Sequence, residues 1–221
     1  MVTAANIAAG FTSMVLAASG RFEGAVYLLV LAIALDMIDG RVARLLKATS
    51  EVGRQLDSFS DAGSFGLAPA LLIYLAVFHE LGAGGIVIAV VYVLAGLYRL
   101  VRYNLLSDAH SKARRTTGLP IPIAASYVMA TVLLRDRLPI WIAVAVVLLM
   151  AGGMVTRWRL PELKGFGPVT AMLCIGILNF FAFLAWPNLY TVGWWTLWNV
   201  CTVVAARTED RRLALGTPAE R

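Results

Sequence analysis

The chain has 221 residues, 60% of them hydrophobic and only 14% charged, with a mean hydropathy of +0.77. A soluble domain is about half apolar and about a quarter charged, so this chain has too little polar surface to cover itself in water, which excludes a soluble globular domain and a disordered segment alike. Lys and Arg outnumber Asp and Glu by 19 to 13, an excess that in so apolar a chain points to loops facing an anionic leaflet and not to nucleic acid.

A membrane-crossing helix needs about 20 apolar residues. In chain order such stretches fall at 6–19, 24–45, 57–78, 84–106, 120–134, 138–156, 167–185 and 189–206. They predict an all-α integral membrane protein, a polytopic bundle of about eight transmembrane helices. Six spans are allowed if two of the weaker stretches are re-entrant or fused. The first and fifth are short, which requires either misplaced ends or shielding by neighbouring helices. Gly20, the Gly82-Ala83-Gly84-Gly85 run, Pro139, Pro161 and Trp186-Pro187-Asn188 supply the breaks, and Pro120 and Pro122 are expected to shape a helix start. Residues 1–206 read as one membrane domain and 207–221 as a polar cytoplasmic tail. No basic segment precedes the first apolar stretch, so the first helix is expected to act as its own targeting signal.

With the N-terminus placed in the cytoplasm, Arg21, Arg135 and Arg137 fall on the far side and the other 16 of the 19 basic residues on the near side. That asymmetry predicts cytoplasmic termini at both ends. Trp194, Trp195 and Trp198 fit an interfacial belt or lipid-facing packing. Cys174 and Cys201, without metal-ligand spacing, read as small core residues and not as a disulfide. His79 and His110 read as surface residues, and Lys112, Arg114 and Arg115 as a solvated loop that attracts anionic lipid.

Charged side chains inside a membrane segment are costly and mark function. The second span ends Leu35-Asp36-Met37-Ile38-Asp39-Gly40-Arg41-Val42-Ala43-Arg44, and Gly53-Arg54-Gln55-Leu56-Asp57-Ser58-Phe59-Ser60-Asp61 opens the third. Asp36 and Asp39 are spaced i, i+3 and Asp57 and Asp61 i, i+4, so each pair shares a helix face. A hairpin of the two spans lets the faces meet. One aspartate near a helix end is ordinarily a cap or an interface charge, and Asp57 or Ser58 alone would read so. Four at this spacing, interleaved with glycine and arginine, do not.

Four carboxylates in a low dielectric repel one another and need protons or cations. Oxygen-only donors favour a hard divalent ion, Mg²⁺, Mn²⁺ or Ca²⁺. Four aspartates balance two such ions, which lie about 3.5–4 Å apart in sites for phosphoryl chemistry. Gly40 and Ala43 leave room for a bulky ligand, and Arg44 stands where it could meet a phosphate. Asp36 lies about 12 Å, at helical rise, from the cytoplasmic end of its span, a depth that suits a lipid headgroup.

These residues are similar to the CDP-alcohol phosphatidyltransferase family, whose signature is D-x2-D-G-x2-A-R-x8-G-x3-D-x3-D. Asp36, Asp39, Gly40, Ala43, Arg44, Gly53, Asp57 and Asp61 match every fixed position. Three further stretches resemble one branch of that family, the bacterial and archaeal phosphatidylserine synthases: Gly118-Leu119-Pro120-Ile121-Pro122, Arg102-Tyr103-Asn104 and Thr3-x2-Asn6-x3-Gly10. That branch usually has Arg-Phe-Asn in the second stretch, and the Pro-Asn pair that usually precedes the third is absent.

The resemblance implies that an alcohol attacks the lipid-side phosphorus of CDP-diacylglycerol and CMP leaves. It implies that Asp36, Asp39 and Asp57 bind a two-metal centre of Mg²⁺ or Mn²⁺, and that Asp61 is both a ligand of the second ion and the general base. It assigns Gly40, Ala43, Arg44 and Ser50 to the CDP part, with Thr3 and Asn6 assisting. It also implies a homodimer in the inner membrane with the site facing the cytoplasm.

The acceptor of that branch, L-serine, is a zwitterion and needs a partner for its carboxylate. Arg99 and Arg102, spaced i, i+3, suit bidentate carboxylate binding, and Asn104 could add a hydrogen bond. Both arginines would also serve as anchors snorkelling to headgroups. Glycerol-3-phosphate, inositol phosphate or choline as acceptor, or an ether-lipid donor, keeps the same chemistry. A divalent-cation carrier lined by the aspartates is an alternative of another class. It is weakened because the acids cluster near one side.

Overall fold

The computed structural model describes residues 2–45, 51–108, 118–157 and 168–216. Among these residues the chain is all helical, with no strand. The elements are α1 (Val2–Ala18), α2 (Phe22–Leu45), α3 (Glu51–Asp61), a π-helical turn (Ala62–Leu67), α4 (Ala68–Ala76), a 3₁₀ turn (Phe78–Leu81), α5 (Ala83–Asp108), α6 (Ile121–Leu133), α7 (Ile140–Val155), α8 (Pro168–Ala185) and α9 (Leu189–Gly216). With α3, the π turn and α4 counted as one rod, the described residues form eight helices, which stand where the sequence has eight apolar stretches.

Gln55–Ala76 and Ala83–Leu105 are long and apolar enough to cross a membrane, and Thr3–Ala18, Ile121–Leu133 and Ile140–Val155 are shorter apolar helices. The two short stretches have different explanations. The first was misplaced at its start, because α1 begins at Val2. The fifth is short because it is central: nine of the 13 residues of α6 are buried. At about 1.5 Å per residue such a helix falls short of a bilayer core of about 30 Å. Its neighbours cover it instead.

Two compact units are present. Of the described residues, 2–45, 51–108 and 118–156 form the first, and 157 and 168–216 the second. In the first unit α1 and α2 form a hairpin, where Arg21 N–H donates to Leu16 O at 2.9 Å and Ser13 Oγ donates to Ala25 O at 2.8 Å. Its interior holds Leu29, Phe65, Leu72, Tyr92, Ile121 and Met129, all fully buried. The side chains that point outward are equally apolar, among them Phe11, Leu94 and Leu149, a surface suited to lipid. Pro120 stands at the head of α6 and Pro122 in its first turn, as expected from their fixed φ.

The second unit is a hairpin of α8 and α9. Asn188 caps α9: its Oδ1 accepts from the N–H groups of Tyr190 and Thr191, both at 2.9 Å. Trp195 is buried against Phe180, centroids 5.0 Å apart, and stacked on Phe183 at 6.3 Å. Trp194 is exposed, so the tryptophan belt expected at this helix divides into a core ring and an outward one. Cys201 is exposed on α9, which corrects the expectation of a core position. The side chain of Cys174 lies outside the described residues. Helix α9 continues through Gly216, into the segment expected to be a polar tail.

Candidate active site

Helix α2 carries Asp36, and α3 carries Asp57 and Asp61 one turn apart. Each of the three offers a carboxylate oxygen, and these oxygens all lie within 4.8 Å of one another. Asp57 is exposed, whereas Asp36 and Asp61 are half-buried. Asp36, of the i, i+3 pair, therefore meets both members of the i, i+4 pair. Asp61 Oδ1 is buried with no hydrogen-bond partner among the described residues. An all-oxygen cluster with an orphaned buried acceptor fits a hard divalent cation. The side chains of Asp39, Gly40, Ala43 and Arg44 lie outside the described residues, as does Ser50.

Arg99 on α5 is buried, at 9% exposure. It lies within electrostatic reach of Asp61, and its Nε has no partner among the described residues. A buried arginine with an unclaimed donor beside an acidic cluster is expensive unless something anionic completes it.

Arg102, one turn on, is employed differently. It donates to Val155 O at 3.0 Å and to Thr156 O at 2.9 Å, satisfying carbonyls at the C-terminal end of α7. Its guanidinium also lies 5.6 Å from the Tyr98 ring centroid. Gly118 packs into the same corner with φ +78, and a Cβ there would fall 2.6 Å from Met154 O and 2.8 Å from Arg102 Nη2. Leu119 N–H donates to Gly153 O at 2.9 Å. The stretches around Arg102 and Gly118 thus converge on the end of one helix. Asn104 donates to Ser58 Oγ at 2.9 Å, next to Asp57.

On α1, Asn6 is buried. Its carbonyl accepts from Ser64 Oγ at 3.2 Å, and its side-chain Oδ1 has no partner among the described residues. At Gly10 a Cβ would lie 2.9 Å from Ser64 Cα, so only glycine lets α1 approach the π turn this closely. Thr3 is half-buried in the first turn of α1. Three residues that bear on this region went unmarked in the sequence: Ser64, Pro69 and Tyr92, whose hydroxyl donates to Phe65 O at 3.1 Å. Of these, Pro69 had a visible signal, a proline inside an apolar span.

The sequence model of CDP-alcohol phosphatidyltransferase matches residues 1–158, which run from α1 through α7. Over 137 residues the chain is 38% identical to a CDP-diacylglycerol–serine O-phosphatidyltransferase of Helicobacter pylori, covering 62% of this chain and 57% of that relative. It is 36% identical over 124 residues to the Bacillus subtilis protein of the same name, covering 56% of this chain and 68% of the relative. An archaetidylserine synthase of Methanothermobacter thermautotrophicus is 34% identical over 174 residues, 75% of this chain and 70% of that protein. The stretch shared with the Helicobacter relative is thus little more than half of that protein's length. With an acidic cluster assembled from the signature residues and a family match over α1 to α7, this chain belongs to the CDP-alcohol phosphatidyltransferase family.

Proposed function

We propose that this membrane protein transfers the phosphatidyl group of CDP-diacylglycerol to the hydroxyl of L-serine, releasing CMP. The convergence of Asp36, Asp57 and Asp61 beside buried Arg99 carries this reading, and the names of the relatives support serine as acceptor. Asp36, Asp57 and Asp61, with Asp39 by family resemblance, would hold two divalent cations, Mg²⁺ or Mn²⁺, with Ca²⁺ able to occupy the same oxygens. When bound, these ions neutralise the carboxylates and the diphosphate and assist the departure of CMP.

The chain's own groups do the rest. Asp61 takes the proton of the serine hydroxyl as its oxygen bonds to the lipid-side phosphorus and the bond to the CMP oxygen breaks. A carboxylate is a weak base for an alcohol, so proton transfer is concerted with attack. Arg99 binds the serine carboxylate. Its unclaimed Nε and its electrostatic reach to Asp61 favour it over Arg102, whose Nη1 and Nη2 both serve α7. Asn104 acts on the same pocket through Ser58. Gly40, Ala43, Arg44 and Ser50, with Thr3 and Asn6, hold the CDP part. Both termini and the site face the cytoplasm across the inner membrane, and the working form is a homodimer surrounded by lipid.

The test is purified protein in detergent with CDP-diacylglycerol, Mn²⁺ or Mg²⁺, and a panel of serine, glycerol-3-phosphate, inositol phosphate and choline at equal concentration. Serine-dependent CMP release is expected. Release with another acceptor alone would overturn the serine assignment, and release with none would overturn the transferase reading. The archaetidylserine synthase relative makes an ether-lipid CDP donor the second arm of the assay.

A further inference from the structure

The apolar helix Gln55–Ala76 contains Pro69 well inside its length. A proline there has no N–H for the carbonyl four residues back, and its ring crowds that carbonyl. For Pro69 the deprived carbonyl is that of Phe65. The helix responds with the π turn Ala62–Leu67, closed by Ala68 N–H donating back to Gly63 O. Phe65 is fully buried, so its carbonyl cannot turn to water. Tyr92 on α5, itself fully buried, supplies the donor through its hydroxyl at 3.1 Å. From the other side, Ser64 Oγ ties the turn to α1 at Asn6 O.

One residue more or less in a helical turn amounts to about 100° of rotation and about 1.5 Å of rise. Beyond the turn, α4 is anchored by buried Leu72 and Ile73. Before it, α3 carries Asp57 and Asp61. The π turn therefore decides which way the two aspartates face. Relaxed to ordinary α geometry, it would swing them away from Asp36 on α2 and Arg99 on α5. Single π turns inside α-helices occur frequently at functional sites.

We infer that Tyr92 is a positioning residue for the aspartate cluster: its hydroxyl stands in for the N–H that Pro69 lacks, holds the π turn, and so keeps Asp57 and Asp61 facing Asp36. The inference rests on the cluster being a divalent-cation site. Tyr92 acts through the Phe65 carbonyl, one turn beyond Asp61.

The experiment titrates full-length protein in detergent with Mn²⁺, reading free Mn²⁺ by electron paramagnetic resonance, for wild type and Tyr92→Phe. Helical content is checked by circular dichroism below the melting temperature. Tyr92→Phe is expected to keep its helicity and bind Mn²⁺ about tenfold more weakly, the lower end of the effect of a residue that orients a ligand. Its half-activating Mn²⁺ concentration rises by the same factor, and saturating Mn²⁺ restores kcat, a rescue that a merely unstable variant would not show. Wild type without Mn²⁺ binding overturns the metal reading and this inference together. Wild type that binds, with Tyr92→Phe at equal affinity, overturns the inference alone. If Tyr92→Phe does not fold, Pro69→Ala replaces it: it restores an amide donor and lets the turn relax, so equal Mn²⁺ affinity in that variant overturns the inference in the same way.

Discussion

The side-chain amide of Asn104 donates to Ser58 Oγ at 2.9 Å, tying the end of α5 to α3 one residue from Asp57. If Asn104 serves the site through this bond, Asn104→Ala and Ser58→Ala should lower kcat/KM for serine by similar factors. The double variant should be no worse than the poorer single one. A double-mutant cycle on CMP release measures this coupling, and additivity within about 0.5 kcal/mol would show that the two residues act independently.

If Asp61 is the general base, replacing it should nearly abolish turnover. Asp61→Asn keeps the shape and loses the proton acceptor, so serine-dependent CMP release should fall by roughly 10²–10⁴-fold. A variant with normal activity would exclude Asp61 as the base.

Chelation should silence the proposed activity. Protein stripped with EDTA should release no CMP, and added Mn²⁺ or Mg²⁺ should restore release. Activity that survives thorough chelation would exclude the cation reading of Asp36, Asp57 and Asp61.

Arg99 and Arg102 should separate cleanly. Arg99→Gln is expected to raise KM for serine roughly 10- to 150-fold, the equivalent of about 1.5–3 kcal/mol for a charged hydrogen bond, with KM for CDP-diacylglycerol little changed. Arg102→Gln frees two carbonyls at the end of α7 and should instead lower the melting temperature, at a cost of about 1–3 kcal/mol. The opposite pattern in a KM and melting comparison would reverse the assignment.

Gly118→Ala should destabilise by about 1–3 kcal/mol, because the residue holds φ +78 and its Cβ would fall 2.6 Å from Met154 O. A thermal melt in detergent checks this, and an unchanged midpoint would show that the α7 corner can yield.

Much of the site could be seen in the chain because its spacing is local. Asp57 and Asp61 one turn apart share a face whatever surrounds them, and a short connection from α2 brings Asp36 near. The Thr3-x2-Asn6-x3-Gly10 pattern was visible too, but its purpose was not: Gly10 is small because Ser64 lies against it, and Ser64 is 58 residues from Asn6. The sequence favours Arg102 as the serine ligand and leaves Arg99 even between ligand and headgroup anchor, and the structure points the other way. What distinguishes them is whether a carbonyl from α7 is within reach.

The sequence by itself determined the solvent of this protein and marked the candidate site. Apolar composition leaves lipid as the medium, and carboxylates tolerated in such a medium need a charge to offset them. Only the tertiary structure decided that α6 is central enough to be short, that Arg102 is committed to α7, and that Pro69 turns its helix through a π turn whose freed carbonyl finds Tyr92, 27 residues away. Helical spacing is a property of neighbours in the chain, whereas a buried donor or acceptor is satisfied by whichever group the packed fold brings to it.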